Sequence, residues 1–174
     1  MTTHLVLIRH GQTEWNRDRR IQGNGNSPLT DLGQAQAEAA ARALARFDIA
    51  AIYASDAGRA LQTAAPIAQA VGHEPQTDFR LRERHYGLFE GKTHAELRRD
   101  HAVLHDEYLK REPNFVVPGG GESLVQVQTR MVEACTDIAL RHDGQHVVVI
   151  AHGGTVRAFA RYVLGVPLDV VWRA

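Results

Sequence analysis

Two short apolar runs in this chain end in residues able to handle an anion. Leu5-Val6-Leu7-Ile8 leads into Arg9-His10-Gly11, and Val147-Val148-Val149-Ile150-Ala151 leads into His152-Gly153-Gly154. A guanidinium such as Arg9 offers a fixed fork of donors that matches phosphate or carboxylate. A neutral imidazole is a usable nucleophile near pH 7, and a neighbouring positive charge disfavours its protonation, so Arg9 would help keep His10 neutral. Gly11 lets backbone approach a ligand closely. The glycines after His152 open a helix whose first N–H groups face an anion, and His152 adds a charged donor if protonated. Alone, Arg9-His10-Gly11 is as readily a solvent-facing turn.

Two further stretches carry candidates. Arg59 falls in the first turn of a predicted helix that begins just after a strand, from where it reaches back over the sheet edge toward His10. The run Leu81-Arg82-Glu83-Arg84-His85-Tyr86-Gly87-Leu88-Phe89-Glu90-Gly91-Lys92 mixes charges, an aromatic pair and glycines. A carboxylic acid here suits general-acid work toward a leaving oxygen. Glu83 and Glu90 both qualify, and either serves equally well as an ion-pair partner of Arg82, Arg84 or Lys92. Spacing does not choose between them. His101 and His105 stand at the i, i+4 spacing of a metal site, but with no acid fixed opposite they read as a surface helix. Cys135 lies in a helical pattern and reads as a small core residue.

The elements that must position these groups follow from periodicity. Residues 4–9 and 146–151 are β-branched-rich and do not alternate, which predicts buried strands of a parallel sheet. Residues 49–54 predict a third strand and 74–79 a short extended piece. Thr30 predicts the N-cap of an Ala-rich helix over 33–46. Asp56 is expected to cap a helix over 57–71 that ends at Gly72 and is kinked or broken at Pro66. Thr93 and Glu96 form a capping-box pattern. Residues 81–121, with Pro113, Pro118 and Gly119-Gly120-Gly121, read as a lid-like insertion over the sheet edge. A long helix near 122–142 leads to the last strong strand, and another follows Gly153-Gly154 to Gly165-Val166-Pro167. This order predicts an α/β fold, a three-layer α/β/α sandwich around a mostly parallel sheet. Ligands of such sheets sit beyond the carboxyl ends of the strands, where His10 and His152 are expected.

Composition narrows the function classes. The 174 residues fit a single domain spanning 1–174, and 20 Lys plus Arg balance 20 Asp plus Glu. Nothing global therefore points to nucleic acid or membranes, and any anion site is local. One cysteine cannot form an internal disulfide, which suits a reducing cytosol. The N-terminus lacks a signal-peptide profile and no window reaches the length of a membrane span, so cytoplasmic residence is the expectation.

Taken together the motifs resemble the histidine phosphatase superfamily, the phosphoglycerate-mutase-like group. The likeness rests on Leu7-Ile8-Arg9-His10-Gly11-Gln12-Thr13-Glu14-Trp15-Asn16, on Ser55-Asp56 through Arg59-Ala60 and Gln62-Thr63-Ala64, and on Leu81-Arg82-Glu83-Arg84 with Tyr86-Gly87 and Glu90-Gly91. Gly120-Gly121-Glu122-Ser123 and His152-Gly153-Gly154 complete it. The segments occur in family order over nearly the whole chain. The resemblance implies that His10 is a nucleophile that becomes phosphohistidine, with Arg9, Arg59 and His152 as the phosphate pocket. It implies that Glu83 is proton donor and then base. Asn16, Gln22 and Gly23 match secondary phosphate contacts, Thr13 a weaker one, and the Gly153 amide a backbone donor. It implies phosphoryl transfer from a small phosphorylated metabolite with no metal and no cofactor.

The same pocket supports a phosphatase or a bisphosphoglycerate-dependent mutase, in which 2,3-bisphosphoglycerate would serve as phosphoryl primer. Mutases of this group carry a longer insertion with a neighbouring arginine pair for the substrate carboxylate. Here the insertion is compact, and Lys110-Arg111 and Arg98-Arg99 read as solvated helix charges. Leu88, Phe89 and Phe115 are expected to make the mouth apolar, which favours the phosphatase. A catalytically dead binding module is the third alternative, disfavoured because the core residues are present. Relatives continue past Val163-Leu164-Gly165-Val166-Pro167 into a strand that closes one sheet edge. This sequence stops at Ala174, so the C-terminal edge strand is expected to be missing and the open edge to offer a homodimer surface.

Overall fold

The structure is a computed structural model and describes residues 2–170. Strands β1 (His4–Arg9), β2 (Ile49–Ala54), β3 (Pro75–Thr77) and β4 (His146–Ala151) form a sheet in the order β1-β4-β2-β3, with every pairing parallel. The missing alternation in the strand sequences has a direct cause. Successive side chains of β4 enter opposite cores: Val148 and Ile150 pack with Ala41, Leu44, Ala60, Ala64 and Ile67, whereas Val147, Val149 and Ala151 pack with Met131, Ala134, Cys135 and Ile138. A strand buried on both faces needs apolar residues at every position.

The helices covering these faces are α2 (Asp31–Leu44) and α3 (Gly58–Val71) on one side, α6 (Leu124–Arg141) and α7 (Gly153–Val163) on the other. Their starts are chemically marked. Thr30 accepts from the Gly33 amide at 3.1 Å, and Ser123 with Gln126 forms a capping box. α3 ends at Gly72 in the left-handed region, φ 76°. Of the expectations for α3, the Asp56 cap fails, and of the kink or break at Pro66 the break does not occur. Asp56 does not cap it: the N-cap is Ala57, whose amide donates to Ser55 Oγ, and Asp56 accepts a bidentate pair of bonds from Arg82 at 2.6 Å each. An arginine fork outcompetes a single amide for a carboxylate. Nor does Pro66 break the helix, which runs on to Val71 because Thr63, Ala64 and Ile67 on its inner face are buried against the sheet.

The register aligns the chemistry. Arg9 pairs with Ala151 and Ala54 with Ile150, so three strands finish level. The next residue of each, His10, Ser55 and His152, meets at one edge. His10 N–H donates to Ala151 O at 3.0 Å and Ser55 N–H to Ile150 O at 2.9 Å, which extends the ladder into the site.

The short helix α1 (Glu14–Arg17) follows β1, and the insertion holds α4 (His94–Asp100) and α5 (Ala102–Leu109). The Thr93–Glu96 capping box forms as the sequence predicts. The insertion has its own core of Phe89, Leu97 and Val117, with Ile21, Tyr86, Leu104, Tyr108 and Phe115 around it. Phe89 is therefore interior rather than part of an apolar mouth; Phe115 does line a cavity there. His105 is likewise not on a solvated face. It is buried, and its Nε2 lies 3.0 Å from His94 Nδ1, because the helix turns that face onto Phe89 and Tyr108. Among the described residues β1 is paired on one side only, and the chain end on which the missing-strand expectation falls, residues 171–174, lies outside them.

Gly11 and Gly33 touch backbone to backbone. A Cβ on Gly33 would land on the Gln12 carbonyl, and one on Gly11 on the Gly33 carbonyl. Helix propensity alone would make Gly33→Ala stabilising by about 1 kcal/mol. Overpacking against backbone that cannot swing away costs about 1–3 kcal/mol and should win. Urea unfolding of Gly33→Ala is expected to show a lowered midpoint at unchanged slope; a raised midpoint would contradict the contact.

Candidate active site

His10 stands at the end of β1, 7 % exposed. Its Nδ1 lies 2.7 Å from the Gly11 carbonyl, which can only accept, so the proton sits on Nδ1. Nε2 is left with its lone pair, and Arg59 Nε–H donates to it at 3.2 Å. The pKa of His10 is pushed down from 6.5 to about 4, chiefly by burial; the Gly11 bond acts the other way, and Arg59 and Arg9 add smaller downward effects. Burial, not the adjacent arginine, is thus what keeps the imidazole neutral.

His152 is fully buried, 5.1 Å from His10 ring to ring. Burial holds its pKa well below 6.5, followed by the charge of Arg59, so it is a neutral donor rather than the charged one considered from sequence. Its Nε2 is 2.8 Å from Ser55 Oγ, which already accepts from the Ala57 amide. Ser55 Oγ can act as donor or acceptor toward this nitrogen. The other ring nitrogen, Nδ1, is buried and has no hydrogen-bond partner among the described residues. A buried ring nitrogen without a partner is costly unless a ligand supplies one.

Arg59 is 1 % exposed. Besides His10 it donates to Gly25 O at 2.7 Å and Gly23 O at 2.8 Å. Among the described residues no carboxylate pairs with it directly, so its charge is available to an incoming anion. Arg9 is exposed and makes no hydrogen bond among the described residues; Gly153 leaves room for its guanidinium, since a Cβ there would sit 3.3 Å from Arg9 Nε. Glu83 reaches the same place from the insertion. Its Oε2 accepts from the Gly154 amide at 2.9 Å and its Oε1 from the Arg84 amide at 2.8 Å. A Cβ on Gly154 would strike this carboxylate, which explains the second glycine after His152.

Arg9, His10, Arg59 and Glu83 line a cavity of about 200 Å³ with Asn16, Gln22, Gly23 and Gly153, closed by Tyr86, His94 and Tyr108 of the insertion; His152 packs against the His10 ring but is not in that wall. Thr13 is not in that wall. It is fully buried, caps α1 and receives the Gln22 carboxamide, so it acts behind Gln22. Glu90 is also outside the wall, which separates it from Glu83. Sequence reasoning missed Ser55 as the hydrogen-bond partner of His152 Nε2, and Arg130, whose guanidinium holds the carbonyls of Arg80, Arg82 and Glu83 at 2.7, 2.6 and 3.0 Å. Ser55 had a signal, its place one residue past a strand end. Arg130 had none, being one arginine of a long amphipathic helix.

The sequence profile of the histidine phosphatase superfamily (branch 1) matches residues 5–174. The chain belongs to this superfamily. A glucosyl-3-phosphoglycerate phosphatase of Mycolicibacterium vanbaalenii is 40 % identical over 172 residues, covering 95 % of this chain and 76 % of the relative. Phosphoglycerate mutase-like protein 4 of Arabidopsis thaliana is 37 % identical over 156 residues, 88 % of this chain and 68 % of that one. Among solved structures, Bacillus stearothermophilus YhfR superposes with a TM-score of 0.89 at 39 % identity, covering 96 % of this chain and 82 % of its own. For a histidine phosphatase the arrangement is chemically complete: a neutral imidazole with a directed lone pair, fixed cations, and a carboxyl group across the cavity.

Burying two neutral histidines has a consequence for stability. His10 titrates at about 4 when folded against 6.5 when unfolded, so between those values the native state binds fewer protons. Stability is then full above pH 6.5 and falls as pH drops toward 4, by about 3 kcal/mol at the limit for this one residue. His152 acts in the same direction. Urea unfolding at pH 7, 5.5 and 4.5 should show a steeper loss in the wild type than in His10→Asn; equal slopes would mean that the imidazole is not held neutral by burial.

Proposed function

We propose that the protein is a metal-independent phosphomonoester hydrolase working through a phosphohistidine at His10. The observation that carries this reading is the lone pair of His10 Nε2, fixed by the Gly11 carbonyl on one side of the ring and aimed at Arg59 on the other. A phosphoryl group entering the cavity takes over the donors of Arg59 and Arg9 and the Gly153 amide, and in this reading the unpartnered Nδ1 of His152 carries a proton and donates as well. Preorganised donors of this kind stabilise the charge spread over the equatorial oxygens. His10 Nε2 attacks phosphorus, the bond to the leaving oxygen breaks, and Glu83 delivers its proton to that oxygen. Water then attacks the phosphohistidine while Glu83 takes a proton back, which releases phosphate and restores the neutral ring.

Asn16 and Gln22 complete the phosphate contacts in this reading. Protein cations carry the role that a metal would otherwise have, and no cofactor is needed. The partner is a small phosphorylated metabolite, with neither nucleic acid nor membrane involved, and the setting is the cytoplasm, possession of one unpaired cysteine being compatible with it. No described helix is long and apolar enough to cross a membrane. The edge of β1 that no described residue pairs with suits pairing with a second copy of the chain.

Glu83→Gln should separate acid catalysis from phosphate binding. Hydrolysis of an alkyl phosphate, whose alkoxide leaves badly, is expected to fall on the order of 10²–10⁴-fold. Hydrolysis of p-nitrophenyl phosphate should fall far less, and acid-labile label on His10 should still accumulate. Equal losses on both substrates would remove Glu83 from the proton-transfer role.

One observation keeps the mutase reading alive. Beyond Tyr86, His94 and Tyr108 lies a second cavity of about 330 Å³. Its wall includes Arg111 and Arg157, which make no side-chain hydrogen bond or ion pair among the described residues, and the Arg111 Nε is buried. Arg111 is therefore not the solvated helix charge expected from sequence. Such a wall suits a leaving group that carries its own carboxylate. Turnover of 3-phosphoglycerate should exceed that of glycerol phosphate, which replaces the carboxylate by a hydroxymethyl group, and Arg157→Leu should narrow the difference about tenfold, the worth of one charge-assisted bond. Net phosphate release from 3-phosphoglycerate supports the hydrolase. Isomer exchange stimulated by 2,3-bisphosphoglycerate, without release, would establish the mutase instead.

A further inference from the structure

The side chain of Glu90 lies outside the phosphate cavity yet is bound by three main-chain N–H groups. Its Oε1 accepts from Asn24 and from Tyr86, both at 2.9 Å, and its Oε2 accepts from Gly25 at 3.2 Å. The loop that supplies two of those donors also supplies the acceptors of Arg59, through the carbonyls of Gly23 and Gly25. The Gly23 carbonyl and the Asn24 N–H belong to one peptide group. That unit therefore bridges the two charges, with its N–H on the Glu90 carboxylate and its C=O on the Arg59 guanidinium. Gly23 has φ +52°, and a Cβ there would overlap Glu90 Oε1, so the loop is shaped around this carboxylate.

A buried guanidinium needs charge compensation, but a carboxylate bound to it directly would occupy the donors that a phosphoryl group requires. A counter-charge placed one peptide unit away meets both demands. Hydrogen bonds in series through a peptide group also polarise one another. We propose that Glu90 is a positioning residue for phosphoryl transfer: it folds the 23–25 loop into the shape that fixes Arg59 and aims its Nε–H at His10 Nε2. Glu90 itself belongs to the insertion, where the Tyr86 amide holds it, so its two bonds to Asn24 and Gly25 couple seating of the insertion to the readiness of the phosphate pocket. The idea rests on the hydrolase reading for its kinetic arm only.

The test is a double-mutant cycle in the full chain between Glu90→Gln and Arg59→Ala, with p-nitrophenyl phosphate as substrate. Gln keeps the size and one acceptor oxygen but presents an NH₂ donor toward an N–H. Glu90→Gln is expected to lower kcat on the order of ten- to a hundredfold with a smaller change in KM, and to cause little further loss once Arg59 is Ala. Glu90→Asp, which retains the charge at shorter reach, should recover part of the rate. The second readout is the Arg59 Nε–H resonance in ¹⁵N spectra, expected to be protected from exchange in the wild type and exchange-broadened in a folded Glu90→Gln. Wild-type kcat in Glu90→Gln, an equal fold-loss in the Arg59→Ala background, or an unchanged Arg59 resonance would overturn the proposal. Absence of turnover and of phosphohistidine in the wild type would sink the hydrolase reading, while the resonance still decides the role of Glu90.

Discussion

The site depends on one arrangement: a neutral imidazole held in contact with a buried guanidinium that has no carboxylate of its own. Each half is unfavourable alone. Burial of Arg59 lowers its pKa through desolvation, and Glu83 and then Glu90 oppose that loss from a distance. Burial of His10 favours the neutral ring, which is the form that can attack. Had either group found a strong partner, the pocket would lose its function. A carboxylate on Arg59 would neutralise the charge needed for phosphate, and a carboxylate on His10 would draw it toward the imidazolium. The fold therefore satisfies both groups with main-chain carbonyls, which bind donors without carrying a full charge. Gly11 O serves His10, and Gly23 O and Gly25 O serve Arg59.

Such carbonyls are useful only if the chain can bring them within bonding distance, and this is where the glycines act. Gly11 lies against Gly33, Gly154 against the Glu83 carboxylate, and Gly23 against Glu90. At Gly154 and Gly23 the space of the missing side chain is taken by a carboxylate, and at Gly11 by the backbone of α2. The strand ladder fixes the other coordinate. Because β1, β4 and β2 finish level, their following residues His10, His152 and Ser55 arrive together. Thr63 then ties the helix behind them to the loop, accepting from the Gly11 amide at 3.0 Å while its hydroxyl donates to the Arg59 carbonyl at 2.8 Å. Positional accuracy at the nucleophile comes from secondary structure rather than from loop packing, which suits a reaction governed by positioning and electrostatics.

What could be read from the amino-acid sequence follows the range of the interactions. The strands at 4–9, 49–54 and 146–151 and the cap at Thr30 are set by neighbours a few residues away, and the structure has them within a residue or two. The placement of Arg59 in a first turn just past a strand is equally local. Asp56 misled because its partner, Arg82, is distant in sequence and competes with a cap that local rules favour. Pro66 does not break α3 because tertiary burial of its inner face outweighs one lost helical bond. His105 misled because a helix face looks solvated until Phe89 is laid against it, and Arg111 because it falls just past the end of α5, at φ 58°, where its side chain lines a cavity with Arg157. Glu83 and Glu90 are the sharpest case. They share a segment, a side-chain type and a neighbourhood of cations; spacing leaves them level, the family resemblance points to Glu83, and the structure parts them by partner, Glu83 on the Gly154 amide and Glu90 on the loop at 23–25.

The order of events on phosphate binding follows from which donors are already occupied. In the proposed reaction the Gly153 amide would donate to a ligand oxygen with nothing to displace, and His152 Nδ1 has no partner to give up, whereas Arg59 Nε must first give up His10 Nε2. Entry of the anion and release of the nucleophile are thus one exchange: as an oxygen takes the guanidinium N–H, the lone pair it masked is freed at the moment phosphorus comes within reach. The masking protects the ring when the pocket holds no anion, and the exchange costs little because one charge-assisted bond replaces another of similar type. It also requires that Arg59 stay where it is while its acceptor changes. The two loop carbonyls supply that rigidity, and the carboxylate behind them keeps the loop from following the guanidinium toward the ligand.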